Sequence, residues 1–379
     1  MNFVKRPTGG PANLPAEMQT DWEKIQSETI EWLRFPMAVA IVFLHHGESL
    51  LHTAAEPIRS ICLLFSEGIC RLAVPCFIFI SGYLFFHKLQ EWDWDIWKAK
   101  IKRRGITLLV PYILWNIVAL FAFWGYGRLN GAQASLLEQF HEYGGFRLFW
   151  NMRGGIPIGL MNGPLDGPLW FIRDLMYYVL ATPAVYLFLK WAKGYGILGM
   201  YILYLAIPGS VPEGFVFFVT GAYLQYSQKG IRSFLFPARR WFYWLFFPLL
   251  TITCISFGYS EYWNRFAKFI FELNGISAVF CLIGTLLRER AVYPMPPFLA
   301  KSSFFIFALH EILILRQIAT PAVHAVIPPD TVPGGIVSFF LVPAITVGIC
   351  LGILWLLQKF LPHTSALLTG NRMMKPSYS

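Results

Sequence analysis

An all-α bundle embedded in a membrane is the fold class this sequence predicts, and three observations predict it. Only 14% of the 379 residues are charged, against about 25% in an ordinary soluble domain. Several apolar runs exceed 17 residues, long enough to cross the hydrocarbon core as helices. Aromatic residues make up 17% of the chain, with Trp and Tyr near the segment ends, as in interfacial belts.

Ten apolar segments follow one another: 30–51, 61–86, 105–124, 169–189, 195–207, 213–226, 241–257, 267–287, 303–318 and 336–360. The fifth and sixth are short and are parted only by Pro208–Pro212. The loops between segments alternate in charge. One set carries Lys88, Lys98, Lys100, Lys102, Arg103 and Arg104, then Lys190 and Lys193, then Lys229, Arg232, Arg239 and Arg240, then Arg288, Arg290 and Lys301. Cytoplasmic loops carry the positive excess. Both termini, also basic, are therefore expected inside, which requires an even number of spans, and ten meets that. The N-terminal tail is 1–29 and the C-terminal tail 361–379. The first 25 residues are polar, with Lys5, Arg6, Asp21, Glu23 and Lys24, and no signal-peptide core precedes Ile30.

A net charge of +10 invites a nucleic-acid partner. The cations sit in alternate loops rather than on one face, so that class is excluded. The partners expected instead begin with membrane lipids. The six cysteines all lie in apolar stretches without a Cys-x-x-Cys pair and read as buried thiols, not disulfides or metal ligands. No metal-ligand spacing, phosphate-cradling glycine loop or nucleophile elbow appears. Leu89–Arg104, with Trp92, Trp94 and Trp97 among lysines, reads as a helix on the cytoplasmic surface. The loop Gly125–Pro168 is the longest between segments and holds His141, Glu142, Arg147, Arg153, Asn162 and Asp166. Loops of this length are commonly functional, and this one is expected to cover an external acceptor site.

Polar residues inside the apolar segments carry the chemistry. Arg34 and His45 are eleven residues apart, three helical turns plus about 20°, so they share a face roughly 16 Å apart. Ionisable groups within a span are costly and mark functional paths, although a snorkelling Arg and a hydrogen-bonded His also suit the pattern. Glu48 stands three residues after His45, where a carboxylate can orient an imidazole. His46, turned about 100° away, reads as a packing or hydrogen-bonding neighbour. Glu67 and Arg71, four apart, read as an internal ion pair. Ser81-Gly82-Tyr83 allows either close helix contact or a narrow slot for an acyl chain. Trp170, Arg173 and Asp174 open the fourth segment; adjacent residues diverge on a helix, so Arg173 and Asp174 are expected to take different partners. His310 would stand about 12 Å deep in the ninth segment, a second buried imidazole that strengthens a catalytic reading.

Together these residues resemble the membrane acyltransferase-3 family, which includes O-antigen, peptidoglycan and exopolysaccharide O-acetyltransferases. The resemblance runs from about Glu31 to Phe360, making 30–360 one transmembrane domain. It rests on Glu31, Arg34 and His45, on Ser81-Gly82-Tyr83, on Arg103-Arg104 leading to Pro111-Tyr112, on Leu169-Trp170-Phe171 with Asp174, on Gly221 and Leu224, and on Ser303 to His310. It implies a multi-pass protein of the inner membrane. It also implies an acyl-CoA co-substrate, most often acetyl-CoA, and an acceptor hydroxyl on a glycan or lipid-linked saccharide. The expected catalytic residues are His45, Arg34 and Glu48. Arg103, Arg104, Ser81, Gly82 and Tyr83 are expected to bind the donor, and Trp170, Arg173, Asp174 and His310 the acceptor. His45 would act as general base or as covalent acyl acceptor. Some members carry an appended esterase-like domain, which this sequence lacks. The rival class is a secondary transporter or polysaccharide exporter, which buried charges and Pro-interrupted spans also suit.

Overall fold

The computed structural model describes residues 16–51, 56–87, 89, 91–152, 163–227 and 235–370. Lys5, Arg6, Lys88, Arg153, Asn162, Lys229 and Arg232 lie outside them. The described residues are helical, without a strand. The helices are α1 (Ala16–Leu51), α2 (Ile58–Phe86), α3 (Trp94–Leu129), α4 (Leu136–Glu142), α5 (Trp170–Leu180), α6 (Thr182–Ala206), α7 (Glu213–Tyr226), α8 (Arg239–Ser256), α9 (Glu261–Arg288), α10 (Pro297–His324), α11 (Val332–Phe360) and α12 (Pro362–Leu368).

Five of these, α2, α3, α9, α10 and α11, are each long and apolar enough to cross a membrane, and the bent pair α5–α6 makes a sixth if taken as one span. All ten predicted segments are helical. α7, at 14 residues, is shorter than the roughly 20 that a helical span needs. The fourth predicted segment breaks between α5 and α6, with a 61° bend, and α6 itself is interrupted at Lys193 (φ +49°, ψ −140°), which parts the end of the fourth segment from the fifth. Pro183 is the cause of the bend: it lacks an N–H and disfavours helix in the residue before it. Thr182 Oγ1 turns back to Val179 O (2.6 Å). Leu89–Arg104 does not end as a helix of its own. Asp93 caps it by accepting from Asp95 N (2.7 Å) and Ile96 N (3.0 Å), and from Trp94 it runs into α3 as one 36-residue helix.

The buried apolar side chains form one large cluster drawn from nearly every long helix and three smaller ones. α1 is the hub, packing on α2, α9, α10 and α11. Its contact with α2 is fixed at two points: Ser66 Oγ donates to Phe43 O (2.8 Å), and a Cβ on Gly47 would stand 1.9 Å from Ser66 Oγ. Ser66 lies in a wide π-type stretch, Leu63–Gly68, which places Glu67 at the depth of His45. α2 and α7 run parallel and nearly touch. A Cβ on Gly82 would meet Phe218 O at 2.0 Å, and one on Gly221 would meet Phe79 O at 2.1 Å. Glycine there permits backbone approach, as in membrane helix pairs that lack a strong hydrophobic drive.

The long loop turns inward. Leu165 N donates to Leu148 O (2.7 Å), Tyr112 Oη donates to Phe149 O, and Trp150 stacks edge-on against Tyr112 and Tyr177. The loop's return thus packs against α3 and α5, and Asp166 N reaches Asn116 Oδ1 (3.1 Å) within the bundle. All six cysteines are free and five are buried.

Candidate active site

α1 and α10 bring the two expected histidines together: the His45 and His310 ring centroids are 5.3 Å apart, at a 40° tilt. His45 Nδ1 faces two carboxylates, Glu48 Oε2 at 3.7 Å and Glu311 Oε1 at 3.9 Å. Those are ion-pair distances, longer than a hydrogen bond. Glu48 is the expected partner. Glu311 is a partner that sequence reasoning did not assign, and it is the more firmly held. Arg316 grips its Oε1 through Nε (3.1 Å) and Nη2 (2.9 Å), and its side chain is 19% exposed against 48% for Glu48.

Helix α10 is broken where it builds the site. Beyond Leu309 the backbone widens over His310–Ala319, and Ile312 and Leu313 leave helical geometry, Leu313 at φ +63°. Such interruptions often accompany function. This one lets Arg316 fold back on Glu311 five residues earlier. The only signal for it in the sequence was the run of polar residues His310, Glu311, Arg316 and Gln317 in an apolar segment.

The imidazole of His310 is fully buried. Its Nδ1 lies 2.8 Å from Phe307 O and 3.0 Å from Ile306 O. Carbonyls only accept, so Nδ1 carries the hydrogen and Nε2 the lone pair. That Nε2 has no partner among the described residues. For His45 the carboxylates favour the same tautomer, hydrogen on Nδ1 and lone pair on Nε2. Two imidazoles in that form cannot bond each other; a group that donates a proton, such as a hydroxyl, satisfies either lone pair. This is the arrangement of a base oriented by a carboxylate. His46 is buried beside Phe339 (ring centroids 6.0 Å), the packing position expected for it.

The other expected residues fall into three groups. Arg34, Arg103 and Arg104 gather at one end of the bundle, near enough for their charges to act on one another. None of the three makes a close ion pair or hydrogen bond among the described residues, and with only Glu31 acting on Arg34 the cluster keeps a net positive charge that suits an anion. The same end carries an open groove of about 840 Å³ around Trp22, with Lys24, Arg239, Arg288 and Arg290 in its wall, cations that sequence reasoning did not connect. In the second group, Gly82 is taken up by the contact with Phe218, Ser81 Oγ donates to Phe77 O (2.8 Å) and Tyr83 is buried. Of the two readings of this step, the close helix contact is seen at Gly82, whose Cα faces Phe218 O.

The third group corrects an expectation. Arg173 and Asp174 were expected to diverge, yet Arg173 donates to Asp174 Oδ1 through Nε (3.0 Å) and Nη2 (2.8 Å). Its Nη1 also donates to Trp150 O (2.8 Å). Both residues are essentially without solvent, and in such a site a long guanidinium curls onto the nearest carboxylate rather than stay unpaired. They tie the returning loop to α5. Trp170 is half-buried one turn earlier. Glu67 and Arg71 form the expected ion pair, at 2.5 Å. Among the described residues no group of His, Cys, Asp and Glu is arranged to hold a metal ion.

Comparison with known proteins adds two matches. The family model for the acyltransferase domain of the acyltransferase-3 type matches residues 28–356. The succinoglycan biosynthesis protein ExoH of Rhizobium meliloti (strain 1021) is 28% identical over 128 residues, 32% of this chain and 30% of that protein. The match thus spans under a third of that relative's length. No solved structure matches.

Proposed function

The chain belongs to the acyltransferase-3 family, and on that premise we propose that it is an integral membrane O-acyltransferase. It moves an acyl group, acetyl in the simplest case, from cytoplasmic acyl-CoA to a hydroxyl of a cell-surface glycan or lipid-linked saccharide. The observation that carries this reading is the pair of facing imidazoles, one with its Nδ1 turned to two carboxylates and the other with an Nε2 that has no partner among the described residues. A base of this kind suits removal of a hydroxyl proton.

In this reading the anionic end of CoA rests on Arg34, Arg103 and Arg104, since guanidinium groups suit phosphate. The thioester reaches His45, roughly 16 Å along α1 from Arg34. His45 Nε2 takes the proton as the acceptor oxygen attacks the thioester carbon. Glu311 and Glu48 stabilise the imidazolium through Nδ1–H. The C–S bond then breaks, the thiolate of CoA recovers the proton from His45, and ester and free CoA leave. His310 Nε2 accepts a hydrogen bond from the acceptor's hydroxyl and sets its direction. The match to a succinoglycan biosynthesis protein supports a polysaccharide as the acceptor class.

The test uses purified protein in lipid vesicles with radiolabelled acetyl-CoA and a saccharide fraction from the cell envelope. Wild type should release free CoA and label the saccharide, and His45→Ala should do neither while remaining folded. Label retained on His45 itself would replace the direct route by a covalent acyl-enzyme. Transfer that persists in folded His45→Ala sinks the assignment. A folded wild type that never releases CoA would favour the transporter class.

A further inference from the structure

A second polar centre lies at the depth of His45 and takes no part in the chemistry above. Around Arg71 and Lys268, helices α2, α7 and α9 bring together Glu67, Glu213 and Glu272. Lys268 Nζ is 3.0 Å from Glu213 Oε2 and 4.0 Å from Glu272 Oε1, and Arg71 pairs with Glu67 at 2.5 Å. Glu272 is 1% exposed, its carboxyl lies against that of Glu213, and neither of its oxygens accepts from an N–H donor among the described residues. Three carboxyl groups against two cations is a costly set to hold inside an apolar bundle. Beside it opens a cavity of about 70 Å³, walled by Glu67, Arg71, Thr253, Asn264, Lys268 and Cys254 among others. It has room for a few water-sized groups.

Two facts tie this cavity to the reaction site. Ser66, next to Glu67, is bonded to Phe43 O of α1 and abuts Gly47, so it brackets His45 along that helix. Arg71 is also near enough for its charge to act on His45. The chemistry of the wall indicates what it holds. The cluster at Arg34, Arg103 and Arg104 has cations in excess and suits an anion. This cavity has acids, cations, a hydroxyl and an amide in one wall, which suits a neutral group that both donates and accepts: a sugar hydroxyl. Its volume takes the edge of a ring rather than a whole saccharide.

We propose that the cavity between α2, α8 and α9 is the subsite for a hydroxyl-bearing edge of the acceptor saccharide, with Asn264, Thr253 and Lys268 as its specificity-determining contacts. The donor and acceptor thus meet His45 from sites of different charge character. The proposal rests on the acyltransferase reading, and its test separates the two.

Cys254 reports on the cavity directly. It is the one partly accessible cysteine among six, so a small maleimide should label it in the full chain in lipid nanodiscs, with Cys254→Ser as the unlabelled control. The envelope saccharide fraction should slow that labelling at least threefold, and Asn264→Leu should abolish the protection. In the transfer assay Asn264→Leu should raise the half-saturating saccharide concentration about tenfold, leaving that for acetyl-CoA unchanged. Thr253→Val is the second variant. Like Asn264→Leu it leaves the ion cluster intact, so the subsite stays testable if one of them fails to fold. Labelling unaffected by saccharide, or unchanged acceptor saturation in both variants while transfer proceeds, overturns the subsite and leaves the acyltransferase reading standing. A wild type that protects Cys254 with saccharide but transfers no acyl group does the reverse.

Discussion

Replacing Glu311 by Gln removes one negative charge 3.9 Å from His45 Nδ1 and changes little else in shape. At that distance two unit charges interact by about 4 kcal/mol with an effective dielectric constant of about 20. Two features of the site reduce that figure. Arg316, 2.9 Å from Glu311, opposes its action on the imidazolium, and Glu48, 3.7 Å from the same nitrogen, remains to do part of the work. Glu48 is half exposed, so water screens it and it compensates incompletely. The residual loss is about 1–2 kcal/mol of transition-state stabilisation, a fall in kcat of roughly five- to thirtyfold. KM for acyl-CoA should hardly move, because the charge matters once His45 has taken the proton. Arg316 is left half in water, so the fold should tolerate the change. The assay is continuous release of free CoA in vesicles, with Glu48→Gln and the double variant completing a cycle. The double variant should lose more than either single one. If Glu311→Gln keeps wild-type kcat while His45→Ala abolishes turnover, the carboxylates do not support the imidazole electrostatically and the argument fails.

Three further outcomes follow from the geometry. Arg34→Gln and Arg104→Gln should each raise KM for acyl-CoA about tenfold or more, since hydrogen bonds to charged groups are worth about 1.5–3 kcal/mol; acceptor KM should stay constant, and a donor KM that does not change moves the CoA site elsewhere. Gly82→Ala should force α2 and α7 apart and lower the midpoint of thermal unfolding, at a cost of about 1–3 kcal/mol for an overpacked contact, whereas Gly105→Ala, with open space around its Cβ, should not. Equal melting of the two proteins in detergent would refute the close crossing. Asp174→Asn leaves Arg173 buried with a neutral partner and should cost about 3–5 kcal/mol as the pair breaks, seen as lost expression or faster proteolysis of the loop after α4; a normally stable variant with altered acceptor KM would return Asp174 to the acceptor site.

What the sequence determined by itself is whatever depends on spacing along one helix. Membrane helices were legible because apolar runs of fixed length have few other uses. Arg34 and His45 were legible as a pair on one face because eleven residues close three turns, and Glu67 with Arg71 because four residues close one. His310 stood out because an imidazole deep in an apolar segment is costly unless it is used or bonded. The tertiary structure decided whatever depends on where one helix meets another or stops being a helix. That His45 meets His310 follows from the packing of α1 on α10. Glu311 and Arg316 enter the site only because the backbone leaves helical geometry at Ile312 and Leu313, and no periodicity encodes a break. Arg173 and Asp174, neighbours that regular helix geometry turns apart, pair because in a buried site the guanidinium turns to the adjacent carboxylate as well as to Trp150 O. Gly82 is a helix contact because Phe218 of α7, far away in the chain, lies against it. Local periodicity fixes which face a residue shares; only the packed bundle fixes what stands opposite.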